Sequence, residues 1–175
     1  MRIISGEWRG RRLQVPKGKG VRPTTDRVRE SWMAALGGSL DQATVLDLFA
    51  GSGALGLEAL SRGAQYVTFV EIARGALRAL RGNIETLGAG DRCRVIKGDA
   101  MAFARGPNRG VFDLVLADPP YEKGYATELL GLFSEEPFAE AIWVEHRSQE
   151  SIPALPGLTQ RRYGDTTLSI LTRSE

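Results

Sequence analysis

The chain has 175 residues, 42% of them hydrophobic, which suffices for one domain with a sizeable core and excludes a disulfide-stapled miniprotein or a disordered chain. Its formal net charge is only +2. No apolar stretch reaches the roughly 18 residues of a membrane span, and no apolar signal segment is visible, so we expect a cytoplasmic protein with no membrane partner. Because Cys93 and His146 are the only residues of their types, we also expect no metal site.

The first 29 residues are strongly basic. They hold nine Lys or Arg and two acidic residues, whereas the rest of the chain is net acidic. This asymmetry is typical of a protein that binds a polyanion, because each basic side chain placed on a phosphate releases a counterion. A solvated arm without a partner is the alternative. We predict a basic N-terminal β arm over residues 1–22 and a compact domain over residues 23–175.

Strand and helix patterns alternate along the compact domain. A helix follows Thr25 and ends at Gly37. Apolar runs then predict strands at 44–48, 66–71, 92–96, 112–117 and 141–145, and amphipathic patterns predict helices at 54–61, 73–87, 99–103 and 125–133. Segments 158–163 and 167–172 predict a hairpin that turns at Gly164 and Asp165. We therefore predict an α/β fold with a mostly parallel seven-stranded sheet, a C-terminal antiparallel hairpin and flanking helices.

A glycine-rich turn follows the first predicted strand and opens a helix. Gly51, Gly53 and Gly56 match the dinucleotide-binding spacing, and the helix offers unpaired N–H groups to a ligand. Glu71 ends the second strand about 20 residues later, where a carboxylate accepts ribose hydroxyls in NAD and S-adenosylmethionine (SAM) sites alike. A glycine turn that only connects strand to helix is the alternative.

Two further carboxylates favour SAM over NAD. Asp47 lies just before the glycine turn, where it can face the ammonium of an amino-acid moiety, which NAD lacks. A buried Asp without such a partner is costly to desolvate. Asp99 follows the third strand, where it can accept a hydrogen bond from an adenine amino group, cap the short helix that follows, or do both.

The run Asp118-Pro119-Pro120-Tyr121 directly follows the strand at 112–117, at the edge where open α/β sheets bind ligands. The two prolines fix the backbone and remove two N–H donors, so the turn presents acceptors that suit an exocyclic amine. Tyr121 offers a ring face on which an unstacked base can rest. A structural proline turn with an aromatic plug is the alternative.

These motifs resemble the class I SAM-dependent methyltransferases that act on amino groups of bases. Residues 1–11, 22–30 and 50–63 more closely resemble the RsmD family of bacterial 16S rRNA guanine-N2 methyltransferases. The resemblance implies a Rossmann-like fold, SAM as cofactor, and 16S rRNA or the assembling 30S subunit as partner. We also expect a monomer, because no long apolar edge in the sequence requires a partner. It implies catalytic roles for Asp118, Pro119, Pro120 and Tyr121. It implies SAM contacts at Asp47, Phe49, Ala50, Gly51, Ser52, Gly53, Ala54, Glu71, Asp99 and Ala100, and RNA contacts at Arg2, Arg9, Arg11, Arg12, Arg22, Thr24 and Arg27.

The expected reaction is direct methyl transfer from the SAM sulfonium to guanine N2. Adenine N6 and cytosine N4 remain alternatives because the same turn suits any exocyclic amine, and only the resemblance selects guanine. An NAD-dependent Rossmann oxidoreductase would explain the glycine turn but leave the Asp-Pro-Pro-Tyr run and the basic arm without a role. A non-catalytic RNA-binding module would explain the arm alone.

Overall fold

One mixed sheet organises the chain. The computed structural model describes residues 1–17, 26–107 and 110–174, and within them seven strands form the sheet. The strands are β1 (Thr44–Leu48), β2 (Tyr66–Glu71), β3 (Cys93–Lys97), β4 (Phe112–Ala117), β5 (Ala139–Arg147), β6 (Thr159–Tyr163) and β7 (Thr166–Thr172). Their order is β3-β2-β1-β4-β5-β7-β6, with the first five parallel and β7 antiparallel to both of its neighbours. The predicted fold class is confirmed.

Five helices flank the sheet within the described residues. They are α1 (Asp26–Leu36), α2 (Ala54–Ser61), α3 (Arg74–Leu87), α4 (Ala100–Arg105) and α5 (Tyr125–Glu135). Short 3-10 turns follow α1 at Gly37–Leu40 and precede β3 at Gly90–Arg92. None of these helices has the length and apolar character needed to cross a membrane.

Alternate strand residues supply two cores, one on each face of the sheet. Val45 of β1 packs with α1, α2 and α3 on one face, in the core that contains Trp32 and Leu60. Leu46, its neighbour in β1, packs with α4 and α5 on the other face, in the core that contains Phe133. Apolar side chains on both faces explain why these strands appear in the sequence as continuous apolar runs.

Most predicted boundaries agree with the structure, and β5 differs most. It was predicted at 141–145 but runs over Ala139–Arg147, because β4 pairs with it from Ala139 and β7 pairs with it as far as Arg147. That pairing satisfies the backbone of the polar residues at the end of β5, which the apolar pattern does not reveal. The helix predicted at 99–103 is α4, and Asp99 is its N-cap.

Residues 1–17 form an arm that folds back onto α2 and α3. Ile3 donates its N–H to the Arg11 carbonyl at 2.9 Å, and Arg2 and Arg12 form an isolated antiparallel bridge. Ile3 and Trp8 are buried in the same core as α1 to α3. The basic segment therefore begins as an ordered layer on the domain, with its apolar residues facing inward. The predicted boundary after residue 22 lies outside the described residues.

Candidate active site

The candidate site is a cleft at the carboxyl ends of the parallel strands. β1 lies between β2 and β4. Strands β2 and β3 are added on one side of β1 and strands β4 and β5 on the other, and open α/β sheets bind ligands at such a switch point. The cleft has a volume of about 650 Å³, and its lining includes Phe49 after β1, Glu71 of β2, Asp99 after β3 and Asp118 after β4. The end of the arm, at Pro16 and Lys17, also reaches it.

The three glycines of the motif after β1, two in the turn and Gly56 in α2, serve different purposes. Gly51 has φ +57°, lines the cleft, and has no atom within 4 Å of the position where a Cβ would lie. Gly53 has φ +85° and ends the turn against Leu80, whose Cδ1 would lie 2.3 Å from an added Cβ. Gly56 packs equally closely on Phe69. Only Gly51 therefore leaves the backbone open toward a ligand.

Glu71 joins the loops that follow β1 and β2. Its Oε2 accepts the Gly51 N–H at 2.7 Å, and its Oε1 accepts the N–H groups of Ile72 and Ala73, both at 2.8 Å. A carboxylate oxygen accepts up to two hydrogen bonds, so Oε2 can also accept from a ligand hydroxyl. Glu71 thus both shapes the cleft and offers it an acceptor, and its contact with a cofactor ribose stays a prediction.

Asp47 lies behind the glycine turn. It is 1% exposed, is not part of the cleft lining, and its Oδ2 accepts the Gly56 N–H at 2.9 Å. Burial raises the pKa of Asp47 to about 8, assisted by the charges of Asp118 and Glu71 and opposed by the Gly56 bond. The structure gives Asp47 a role in holding the start of α2, and its contact with a cofactor ammonium stays a prediction.

Of the other predicted cofactor residues, some line the cleft and some lie behind its lining. Asp99 lines the cleft and also caps α4, since its Oδ1 accepts the Ala102 N–H at 2.7 Å. Phe49 lines the cleft with φ +57° and stacks on Tyr125 at a centroid distance of 5.5 Å. The remaining predicted cofactor residues are not part of the cleft lining. They lie in the glycine-rich turn and in the first turns of α2 and α4: Ala50, Ser52, Gly53, Ala54 and Ala100.

The Asp-Pro-Pro-Tyr turn opens into the same cleft. All four of its residues, Asp118, Pro119, Pro120 and Tyr121, line the cleft, and the tyrosine ring is half-buried. The Tyr121 hydroxyl donates to Glu145 Oε1 at 2.9 Å, and the Arg147 guanidinium carbon lies 5.0 Å from the ring centroid. Burial raises the pKa of Tyr121 to about 12, and the Glu145 charge adds to this, so the hydroxyl stays a donor.

Glu145 is a site residue that the sequence analysis did not identify. It lies near the end of β5, is 4% exposed, and lines the cleft beside the Tyr121 hydroxyl. Its Oε2 accepts the Trp32 indole N–H at 3.2 Å. One feature of the sequence could have identified it. Glu145 directly follows the apolar run Ile142-Trp143-Val144, and a carboxylate next to a buried strand needs a polar partner.

The predicted RNA-contacting arginines are exposed where the structure describes them. Arg2 donates to the Gly10 carbonyl within the arm, and Arg11 donates to the Thr86 carbonyl of α3, both at 2.9 Å, so the second bond fixes the arm on the domain surface. The remaining exposed members are Arg9, Arg12 and Arg27. Arg22 and Thr24 lie outside the described residues.

Among the described residues, no group of His, Cys, Asp and Glu is arranged to hold a metal ion.

The strand order and the cleft at its switch point define a Rossmann-like methyltransferase fold. An RNA methyltransferase from Salinibacter ruber, solved with S-adenosyl-L-homocysteine, shares this fold at 15% identity, with a TM-score of 0.66 over 86% of this chain and 93% of that chain.

Comparison with known sequences assigns the chain to a family. Residues 1–172 match the family described as Conserved hypothetical protein 95. The chain is 43% identical to ribosomal RNA small subunit methyltransferase D of Escherichia coli over 160 residues, 89% of this chain and 79% of the relative. The solved Escherichia coli protein yhhF is 39% identical, with a TM-score of 0.84 over 99% of this chain and 97% of that chain. The chain therefore belongs to the RsmD family of methyltransferases.

Proposed function

We propose that this protein transfers a methyl group from SAM to the N2 amine of a guanine in 16S rRNA, on the small subunit as it assembles in the cytoplasm. One observation carries the proposal: the Asp-Pro-Pro-Tyr turn and Glu71 face a single cleft at the switch point of the sheet. An exocyclic amine and a nucleoside cofactor can meet there. The name of the Escherichia coli relative supports rRNA as the substrate.

The donors of SAM suit the residues that line the cleft. Ribose hydroxyls and amino groups need acceptors, and the lining offers the carboxylates of Glu71, Asp99 and Asp118. Ile72, which is 57% exposed, and Phe49 add apolar surface on which adenine can lie. When bound, SAM would supply the methyl group on a sulfonium: the new N–C bond would form as the C–S bond breaks, S-adenosyl-L-homocysteine would leave, and the amine would release one proton to the Asp118 carboxylate.

The protein contributes mainly position and charge to this reaction. The Asp118 carboxylate and the Pro119 carbonyl accept the two amine hydrogens, which directs the nitrogen lone pair toward the methyl group. Both acceptors also stabilise the positive charge that develops on the amine during transfer. The Tyr121 ring supports the base from one face.

The arm supplies the contacts to the rRNA backbone in this proposal. Arg2, Arg9 and Arg12 of the arm are exposed, Arg27 at the start of α1 is exposed as well, and Lys17 continues the positive charge to the edge of the cleft. Phosphate contacts of this kind fix the position of an RNA without reading its sequence. Residues 1–22 thus act as an RNA-binding extension of the catalytic domain at 23–175.

Methyl transfer from tritiated SAM to 16S rRNA in partly assembled 30S particles tests the proposal. Asp118→Ala should reduce turnover about 10²–10³-fold, because removal of one such electrostatic contact typically costs that much. The affinity for SAM should change by no more than a few fold. Asp91→Ala is the matched control. Asp91 is exposed in the short turn that directly precedes β3, so it lies at the amino ends of the strands, whereas the cleft lies at their carboxyl ends. Turnover of Asp118→Ala equal to that of the control would contradict the proposed role of the turn.

A further inference from the structure

Glu145 is a buried carboxylate at the site that the proposed mechanism does not yet use. Its side chain lies at the wall of the cleft between the Asp-Pro-Pro-Tyr turn and α1. It is 4% exposed, and a charge that is almost fully removed from water is costly unless its partners compensate. The hydrogen-bond partners of Glu145 therefore bear directly on its role in the site.

Trp32 and Tyr121 both act as hydrogen-bond donors to this carboxylate. The Trp32 indole nitrogen can only donate, and it lies 3.2 Å from Oε2. The Tyr121 hydroxyl donates to Oε1 at 2.9 Å. Trp32 itself is 0% exposed and fixed in the core, so the carboxylate cannot turn away from the cleft without losing that bond. The arrangement holds the Glu145 carboxyl as an acceptor at a fixed place.

A fixed acceptor beside the amine-binding turn distinguishes the three candidate bases. In guanine, the ring nitrogen next to the N2 amine carries a hydrogen and donates. In adenine and cytosine, the ring nitrogen next to the exocyclic amine is an unprotonated acceptor, so its lone pair would face the carboxylate oxygen with no hydrogen between them. A carboxylate has about four acceptor sites, so Glu145 can accept from a ligand in addition to the Trp32 and Tyr121 donors.

We propose that Glu145 accepts the N1–H of the target guanine while the Asp118 turn holds its N2 amine, which selects guanine against adenine and cytosine. This inference rests on the proposed function and adds a base-selecting residue to it. Tyr121 then has two roles, since its ring supports the base and its hydroxyl orients Glu145. A site that hydrogen-bonds a substrate N–H rejects analogues that lack it, because its own buried polar group is left unpaired.

The nucleobase 2-aminopurine separates this role from amine binding. It keeps the 2-amino group of guanine, but its N1 has no hydrogen. The experiment compares kcat/KM for 30S particles whose 16S rRNA carries guanine or 2-aminopurine at the methylated position. The wild-type protein should prefer guanine at least 10²-fold. Glu145→Gln, whose amide can donate to an unprotonated N1, should reduce that preference to less than tenfold.

Glu140→Gln is the matched control, since Glu140 lies on the same strand but its side chain is 65% exposed and pairs with Arg173. A purely structural role of Glu145 would lower kcat/KM for both substrates equally and leave the preference intact, which would overturn the inference. Equal wild-type rates on both bases would overturn it without any variant. Absence of wild-type transfer to guanine would instead contradict the proposed function itself.

Discussion

Glu58 of α2 holds the N-terminal arm on the domain, and its removal should destabilise the whole protein. The side chain is 0% exposed. It accepts the backbone N–H groups of Ile4 at 2.8 Å and Ser5 at 3.0 Å, and the Arg62 Nε–H at 2.9 Å. It also lies 3.6 Å from Nε of Arg29, which is itself 0% exposed. One carboxylate thus connects the arm, α1 and α2.

The expected cost follows from the groups that Glu58→Ala would leave behind. Burial lowers the pKa of Arg29, and the charge of Glu58 is the largest opposing effect. Breaking a buried ion pair by removing one partner costs about 3–5 kcal/mol. Asp26 remains 3.0 Å from Arg29, and the arm can detach so that its N–H groups reach water. We therefore expect a loss of about 3–5 kcal/mol in the free energy of unfolding, out of a typical total of about 5–15 kcal/mol.

Urea denaturation at pH 7 measures this loss, with Glu85→Ala on the exposed face of α3 as the control. Trypsin should also cleave the variant faster between Arg9 and Arg12, because these residues are ordered only while the arm is docked. A change of less than about 0.5 kcal/mol, the range of ordinary surface substitutions, would refute the reasoning.

Three further substitutions test the electrostatics of the site. Burial raises the pKa of Asp47 from 3.8 to about 8 in the folded protein, so its contribution lowers the free energy of unfolding by about 1.4 kcal/mol per pH unit as pH rises between these values. Asp47→Asn should flatten that slope in urea denaturation from pH 5 to 8, and an unchanged slope would contradict the raised pKa. Glu71→Gln should weaken SAM binding by roughly 10–100-fold in calorimetry, because bonds to a charged acceptor contribute about 1.5–3 kcal/mol. Arg9→Ala should reduce the salt slope of rRNA binding by about 1, whereas an equal slope would favour a solvated arm.

The sequence predicts the fold well where the signals are local. The ranges of β1, β2 and α2 agree because apolar runs alternate with glycine-bounded turns. The sequence is less informative where pairing is distant. β5 ends at Arg147 because β7 satisfies its backbone, and no periodicity in β5 itself indicates that.

The candidate site also contains residues that local sequence signals predict and residues that depend on distant partners. Gly51, Glu71 and the Asp-Pro-Pro-Tyr turn lie in the cleft because each directly follows or ends a parallel strand, so chain position alone predicts their place. Glu145 and Glu58 depend on partners 113 and 54 residues away in the chain, Trp32 and Ile4, which no local pattern connects. Asp47 lies at the predicted edge, but its side chain turns to the start of α2.

Identification of the methylated nucleoside tests the central claim most directly. The protein is incubated with radiolabelled SAM and partly assembled 30S particles, and the rRNA is digested to nucleosides and separated. The proposed function predicts that the label is found in N2-methylguanosine. Label in N6-methyladenosine or N4-methylcytidine would contradict both the choice of guanine and the role of Glu145, and absence of label from the rRNA would contradict rRNA as the substrate.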